Sequence, residues 1–321
     1  MSSVRKEFLN VVGETVHKGS NPRAHHYVPQ CWLSGFTEGG ENTSRFWQSD
    51  LNSGKQWPTT PVNAGHYRDF YRLTDPSKDP VLIEKKLSEI EGTIAPILKR
   101  LDKELRMPDD DELSSLIVFM AIQWIRVPAF RPVVLGIMES IMQSNISDAL
   151  SSSEAWSQTL RDAGIPNDSP GSDYHKMREF IESGDYYFSA PNDWYLKEGF
   201  TAAIDVIDSL EKRSWGVSIS ESGELIGSDN PLVLDGPAGR KIGFENAGVI
   251  IYPVSRHVVL YGAASPANLQ PMNRTDVARH NTFMMTTASD YVFSHRSDFV
   301  WLDENEQCQT DLNLFHKEKF V

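Results

Sequence analysis

Two adjacent histidines, His25 and His26, are the side chains of this sequence best suited to chemistry. Imidazoles titrate near neutral pH and can act as base, as acid or as metal ligand. The pair opens the run His25-His26-Tyr27-Val28-Pro29-Gln30, and Pro29 is placed to start a helix with Trp32, Leu33 and Phe36 on one face. The histidines would then stand just ahead of a helix N-terminus, where unpaired backbone N–H groups suit an anion such as phosphate. The plain alternative is a capped turn with one solvated ring.

Gly227-Ser228-Asp229-Asn230-Pro231 ends a strand-like run, and Pro231 stops further pairing there. Asp229 could ligate a divalent metal or orient a histidine, and Ser228 or Asn230 could hydrogen-bond a substrate. The same five residues would equally make an Asx turn that bends the chain. Gln123 and Arg126 lie three apart on an apolar helix, hence on one face. A guanidinium among Trp124, Ile125 and Val127 needs a partner if buried, either a carboxylate or an anionic ligand. Asn281 is a weaker candidate. His66, in a run that reads as a loop entering a strand, ranks below the others. A serine-nucleophile elbow, a Walker loop, a dinucleotide glycine fingerprint and an HExxH zinc motif are all absent from the sequence.

The elements that must position these residues follow from periodicity. Ile83, Leu87, Ile90, Ile94, Ile97, Leu98 and Leu101 recur every three or four residues and predict a long amphipathic helix over 80–105, with Pro96 as a candidate kink. A second helix starts near Asp111, is disturbed by Pro128, and a further run extends toward Leu150. Residues 4–16 suggest a short amphipathic helix, and residues 44–49 and 55–60 flank a turn cluster as a β-hairpin. Residues 151–173, rich in Ser, Asp, Gly and Pro, read as a solvated excursion or a soft boundary. Beyond Trp215 the texture turns to short β-like runs at 215–220, 225–234, 248–254 and 257–262. A helix introduced by Asn273 and a last strand at 291–294 precede a polar tail. The expected fold is α+β: a single domain over 1–321, with a largely helical N-terminal and central part packed on a small mixed or antiparallel sheet built mainly from the C-terminal half.

A chain of 321 residues, 40% hydrophobic and 23% charged, has ample material for a core. The net charge of −13 disfavours a large nonspecific nucleic-acid surface but leaves room for a local basic groove. Two cysteines, Cys31 and Cys308, make no disulfide framework and point to reduced thiols in the cytoplasm. No signal-peptide pattern opens the sequence, and residues 113–142 are too interrupted by charges and prolines to cross a bilayer, so no membrane role is expected.

The run His25-His26-Tyr27-Val28-Pro29-Gln30-Cys31-Trp32-Leu33-Ser34-Gly35-Phe36 resembles the opening motif of an uncharacterised microbial family, the domain of unknown function 4238. Phe46-Trp47, Asp69-Phe70-Tyr71, Ile90-Glu91, Ala95-Pro96, Gln123 with Arg126, Ser228-Asp229-Asn230-Pro231 and Pro253-Val254-Ser255 follow in that family's order, over roughly residues 22–295. Cys31-Trp32 displaces the aromatic expected directly after Gln30. The resemblance implies that His25, His26, Gln123, Arg126, Asp229 and Asn230 share one site, without supplying an activity.

His25-His26-Tyr27-Val28-Pro29 is also similar to the first element of HNH-type nucleases. That likeness implies a metal contact for His25 and activation of water by His26. Such nucleases place an Asn and a metal-binding His shortly downstream on a ββα unit, whereas here the nearest pair is Asn63 and His66. The imidazole pair together with one arginine and one carboxylate gives the expectation of a hydrolase acting on phosphodiesters of RNA, DNA or a nucleotide-like substrate. In it His25, His26 and Asp229 are catalytic or ligate a divalent metal, and Gln30, Gln123, Arg126, Ser228 and Asn230 bind substrate. The competing expectation is a noncatalytic protein whose polar cluster holds a small anion or serves packing.

Overall fold

A computed structural model describes residues 23–75, 79–166, 168–237, 242–265 and 271–315, and the helix expected over 4–16 lies outside them. The histidine segment is a strand, β1 (Ala24–His26), and the helix after Pro29 lasts one turn, α1 (Gln30–Leu33), before a 3-10 turn over Ser34–Phe36. Close packing accompanies that brevity: a Cβ on Gly35 would lie 3.0 Å from the Val254 carbonyl oxygen and 3.1 Å from the Ser255 Cβ. The expected helix N-terminus behind the histidines is thus a single turn, too short to carry the aligned dipole assumed for an anion site.

β2 (Phe46–Asp50) and β3 (Gln56–Thr59) form the expected hairpin. β4 (His66–Arg68) returns to pair antiparallel with β1. All seven apolar positions of the predicted long helix are buried along α2 (Leu82–Glu104), which runs through Pro96. α3 (Asp110–Arg126) starts from a reciprocal capping box between Asp109 and Glu112 and ends at Val127, held extended by the following Pro128.

α4 (Phe130–Ala149) is rich in apolar residues, yet only Phe130 is buried. Among the described residues no single helix is long and apolar enough to cross a membrane; α3 and α4 reach that length only together and are bent by 71°. The excursion over 151–173 holds a helix, α5 (Ser153–Asp162), and α6 (Tyr174–Ser183) follows it. Ser152 and Asp173 cap these helices, and Leu160 is their one buried residue, so the segment is solvated but regular. α7 (Asn192–Glu211) packs along α3.

The C-terminal strands are β5 (Ser214–Ile219), β6 (Gly227–Ser228), β7 (Val233–Asp235), β8 (Val249–Pro253) and β9 (Val258–Ala263). The run expected as one strand over 225–234 is split by the turn at Asp229, and its halves enter different sheets. β5, β9, β8 and β7 make one antiparallel sheet in that order, whereas β6 joins β10 (Tyr291–Ser294) in the order β3-β2-β10-β6. α8 (Arg274–Thr287) has the expected bounds, with Asn273 and Asp276 forming a capping box. The tail is not wholly polar: β11 (Trp301–Leu302) and β12 (Cys308–Gln309) form a last pair, with Trp301 and Leu302 buried.

The chain is α+β, helical through its centre and antiparallel in its sheets. One core joins α1, α2, α3 and α7 to the β5-β9-β8-β7 sheet through Trp32, Ile94, Phe119, Leu210 and Tyr252; a second lies under α8 around Met284, Val292 and Trp301. β1 is tied to α3, where Arg126 Nη2 donates to the His26 carbonyl.

Candidate functional site

Successive strand residues face opposite ways, so the two histidines separate. His25 points inward and is fully buried; its Nδ1 accepts the Tyr71 backbone N–H at 2.8 Å, and its ring stacks on the Tyr71 ring at 5.8 Å. Acceptance at Nδ1 assigns the proton of the neutral ring to Nε2.

His26 faces the other side of the β1/β4 ribbon, where strand register sets it opposite His66. The two rings meet edge to face at 5.2 Å. His26 Nε2 lies 3.2 Å from the Val62 carbonyl, which can only accept, so that nitrogen carries the proton and Nδ1 is the basic one. The Gln30 amide nitrogen lies 3.3 Å from Nε2 and 3.4 Å from Nδ1; with Nε2 protonated toward Val62, it can donate only to Nδ1. Burial lowers the His26 pKa to about 4 against the raising effect of Val62, with His66, Arg126 and His25 adding to the depression, so the ring is neutral at pH 7. The ribbon end is fixed by Gly65, whose carbonyl accepts from Tyr27 and Val28. Its φ of +61° and the Val28 Cβ, 2.9 Å from where a Cβ would stand, both call for glycine.

Beneath the ribbon, Arg126 is buried, with both terminal nitrogens engaged and its Nε without a hydrogen-bond partner among the described residues. Nη1 donates to Glu91 Oε1 at 2.7 Å, Nη2 donates to the His26 carbonyl at 2.5 Å, and its own carbonyl accepts the Tyr71 hydroxyl at 2.9 Å. The partner its burial demanded is therefore the carboxylate of Glu91, one helix away. Glu84, two turns before Glu91, has its carboxyl pushed up to about 7, chiefly by burial and further by Glu91, while Arg126 and the His26 N–H oppose the shift. The Cys31 thiol is held protonated, first by burial and then by Glu91, which makes it a poor nucleophile. Gln123, on the same face of α3 as Arg126, is fully buried, and neither end of its amide has a hydrogen-bond partner among the described residues.

Asp229, Ser228 and Asn230 stand apart from this cluster in their contacts. The Asp229 carboxylate accepts backbone N–H groups of Ser289 at 2.7 Å, Asp290 at 2.8 Å and Tyr291 at 3.0 Å. Ser228 Oγ donates to the Asn230 carbonyl, and the Asn230 amide donates to the Thr287 carbonyl. These residues bind the end of α8 to the start of β10, which is the turn-forming role. Among the described residues no three His, Cys, Asp or Glu side chains are grouped to hold a metal, so His25, His26 and Asp229 do not form a coordination set. Asn281 is a buried amide satisfied by backbone, accepting from Ile226 and donating to Glu224 and Val300.

His25, His26, Gln30 and Arg126 are thus joined at β1, with Gln123 one helical turn from Arg126. Glu84, Glu91 and Tyr71 complete the cluster; Tyr71 and Glu91 stand among the residues that follow the family's order, without a site role assigned to them, and Glu84 is not among them. Glu84 and Glu91 are seven apart, two turns of one helix face, and that spacing was the signal available for them.

No curated protein and no solved structure matches this sequence. A family model described as "Protein of unknown function (DUF4238)" matches residues 24–298, a span that holds the ribbon, the buried arginine cluster and the Asp229 turn. The chain belongs to the DUF4238 family.

Proposed function

We propose that the protein hydrolyses a phosphodiester, with His26 and His66 as the acid–base pair. The observation that carries this reading is the meeting of the two rings on one face of the ribbon, His26 neutral and held in a single tautomer by Val62. In the reaction His26 Nδ1 takes the proton of the attacking water as its oxygen bonds to phosphorus. His66 then gives a proton to the leaving oxygen as the second P–O bond breaks. Arg68 lies two residues beyond His66, hence on the same strand face, and supplies a cation for the phosphate oxygens. Arg126 acts here as a positioning residue, Asp229 holds the turn between α8 and β10, and His25, with Nδ1 occupied by the Tyr71 N–H, is given no metal contact.

The test is cleavage of RNA, single-stranded DNA and duplex DNA, with and without divalent metal, by the wild type, His26→Ala and His66→Ala. Loss of about 100-fold or more in rate in both variants is the expected result for a general acid–base pair. A His66→Ala protein that cleaves like the wild type would overturn it.

A second reading, a noncatalytic protein, is favoured by a specific observation: His26 is only 8% exposed, with hydrogen-bonding groups near both ring nitrogens. On that reading the ribbon fixes packing, no substrate is cleaved, and His26→Ala lowers the melting temperature.

A further inference from the structure

Arg131, in the first turn of α4, is a half-buried guanidinium with no carboxylate partner among the described residues. Its Nη2 donates to two neutral oxygens, the Phe70 carbonyl at 2.9 Å and Asn192 Oδ1 at 2.5 Å. Its carbon lies 4.0 Å over the Phe70 ring and 5.4 Å from the Tyr195 ring. These contacts hold the plane of the fork and leave its charge uncompensated, a costly arrangement unless an anion completes it.

Arg131 lines an open cavity of about 630 Å³ together with Arg68, Asp69, Phe70, Arg72 and Asn192. Among the described residues that line it, three arginines stand with one carboxylate, that of Asp69. Arg23 donates to Asp69 from outside the groove at 2.8 and 3.2 Å, while Arg72 and Arg68 stand 3.8 and 3.7 Å from it. Asp193, beside the groove, has its oxygens taken by the Thr74 N–H and hydroxyl and the Asp75 N–H. In a chain of net charge −13 this is a concentrated positive patch, and it adjoins the ribbon, because Arg68 belongs to β4.

We propose that this groove binds a phosphate group, with Arg131 as the anchor and Arg68 and Arg72 as the outer forks. Guanidinium forks match phosphate oxygens in pairs, and the Phe70 face keeps the Arg131 fork oriented before the ligand arrives. The group can belong to a nucleic-acid backbone or to a small phosphorylated molecule. The site stands whether or not the histidines cleave anything.

The experiment is equilibrium binding, by calorimetry and by shift of the melting temperature, of inorganic phosphate, a mononucleotide and a labelled single-stranded oligonucleotide over a range of salt. Wild-type protein is compared with Arg131→Gln, Arg131→Lys and the surface double variant Arg68→Gln/Arg72→Gln. Saturable binding that weakens about tenfold or more in Arg131→Gln, and less in Arg131→Lys, is expected from loss of a charge-assisted fork. If the oligonucleotide binds tightest and the double variant flattens its salt dependence by about two counterions, the backbone is the ligand. If the mononucleotide or phosphate binds as tightly as the oligonucleotide, the ligand is small. Binding of no probe, or equal affinity in the wild type and the double variant, would overturn the site, and this second variant decides the matter even if Arg131→Gln fails to fold. Cleavage rates are measured separately, so loss of the hydrolytic reading leaves this result intact.

Discussion

The guanidinium of Arg126 is hydrogen-bonded to the backbone carbonyl of His26, 2.5 Å away, so a charge at the end of one helix holds the strand that presents the histidine pair. A charged donor to a backbone carbonyl is stronger than the neutral ladder bond it resembles. The short β1 is thereby tied to α3 as well as to β4.

Breaking that tie should be expensive. Removal of one member of a buried ion pair leaves the other charge uncompensated, at about 3–5 kcal/mol. Arg126→Leu and Glu91→Leu are each expected to lose stability on that order in urea unfolding at pH 7. The double variant should lose clearly less than the sum. An additive double variant would mean that Glu91 and Arg126 are not coupled through their 2.7 Å contact.

Asp229 makes a different case, since its carboxylate is saturated by three backbone N–H groups. Asp229→Ala should cost about 2–3 kcal/mol, because buried donors at residues 289–291 lose their acceptor. At temperatures well below its melting point the variant should keep the groove's affinity for phosphate unchanged. A variant of wild-type stability that had lost ligand binding or cleavage would instead return Asp229 to the site the sequence suggested for it.

How far the sequence was legible depended on the range of the interaction. The seven apolar positions of α2, the hairpin of β2 and β3 and the Asn273 cap each have their cause within a few residues, and each formed as expected. His66 could not be ranked well, because its three-residue strand has meaning only through pairing with His26, forty positions away. Asp229 looked like a chemical group because its acceptors' partners are backbone N–H groups some sixty residues downstream, which leave no mark on side-chain identity. Arg126 was recognised as needing a partner, but only packing of α3 on α2 shows the partner to be Glu91. Arg131 belongs to the apolar run over 113–142, where sequence shows only one more charge; that no carboxylate among the described residues pairs with it is visible only once α4 is placed beside Phe70 and Asn192.

Glu84 gives the protein a pH signature that can be read without knowing any ligand. Its carboxyl is raised from 4.5 in the unfolded chain to about 7 when folded, so between those values the folded state binds the extra proton. Stability from this group is therefore present at low pH and is lost as pH rises through the window. His26 acts in the opposite sense, its folded pKa of about 4 removing stability as pH falls below 6.5, so the wild-type profile alone mixes the two. Comparison with Glu84→Gln separates them, because glutamine resembles the protonated acid and leaves the histidine contribution in both proteins. The stability gap, variant minus wild type, should rise by about 2.5 kcal/mol from pH 5 to pH 8 in urea titrations, since each tenfold change in proton affinity corresponds to about 1.4 kcal/mol. A gap that stays level, or one that closes toward pH 8, would show that Glu84 ionises normally and that the buried cluster under β1 is more open to water than its geometry indicates.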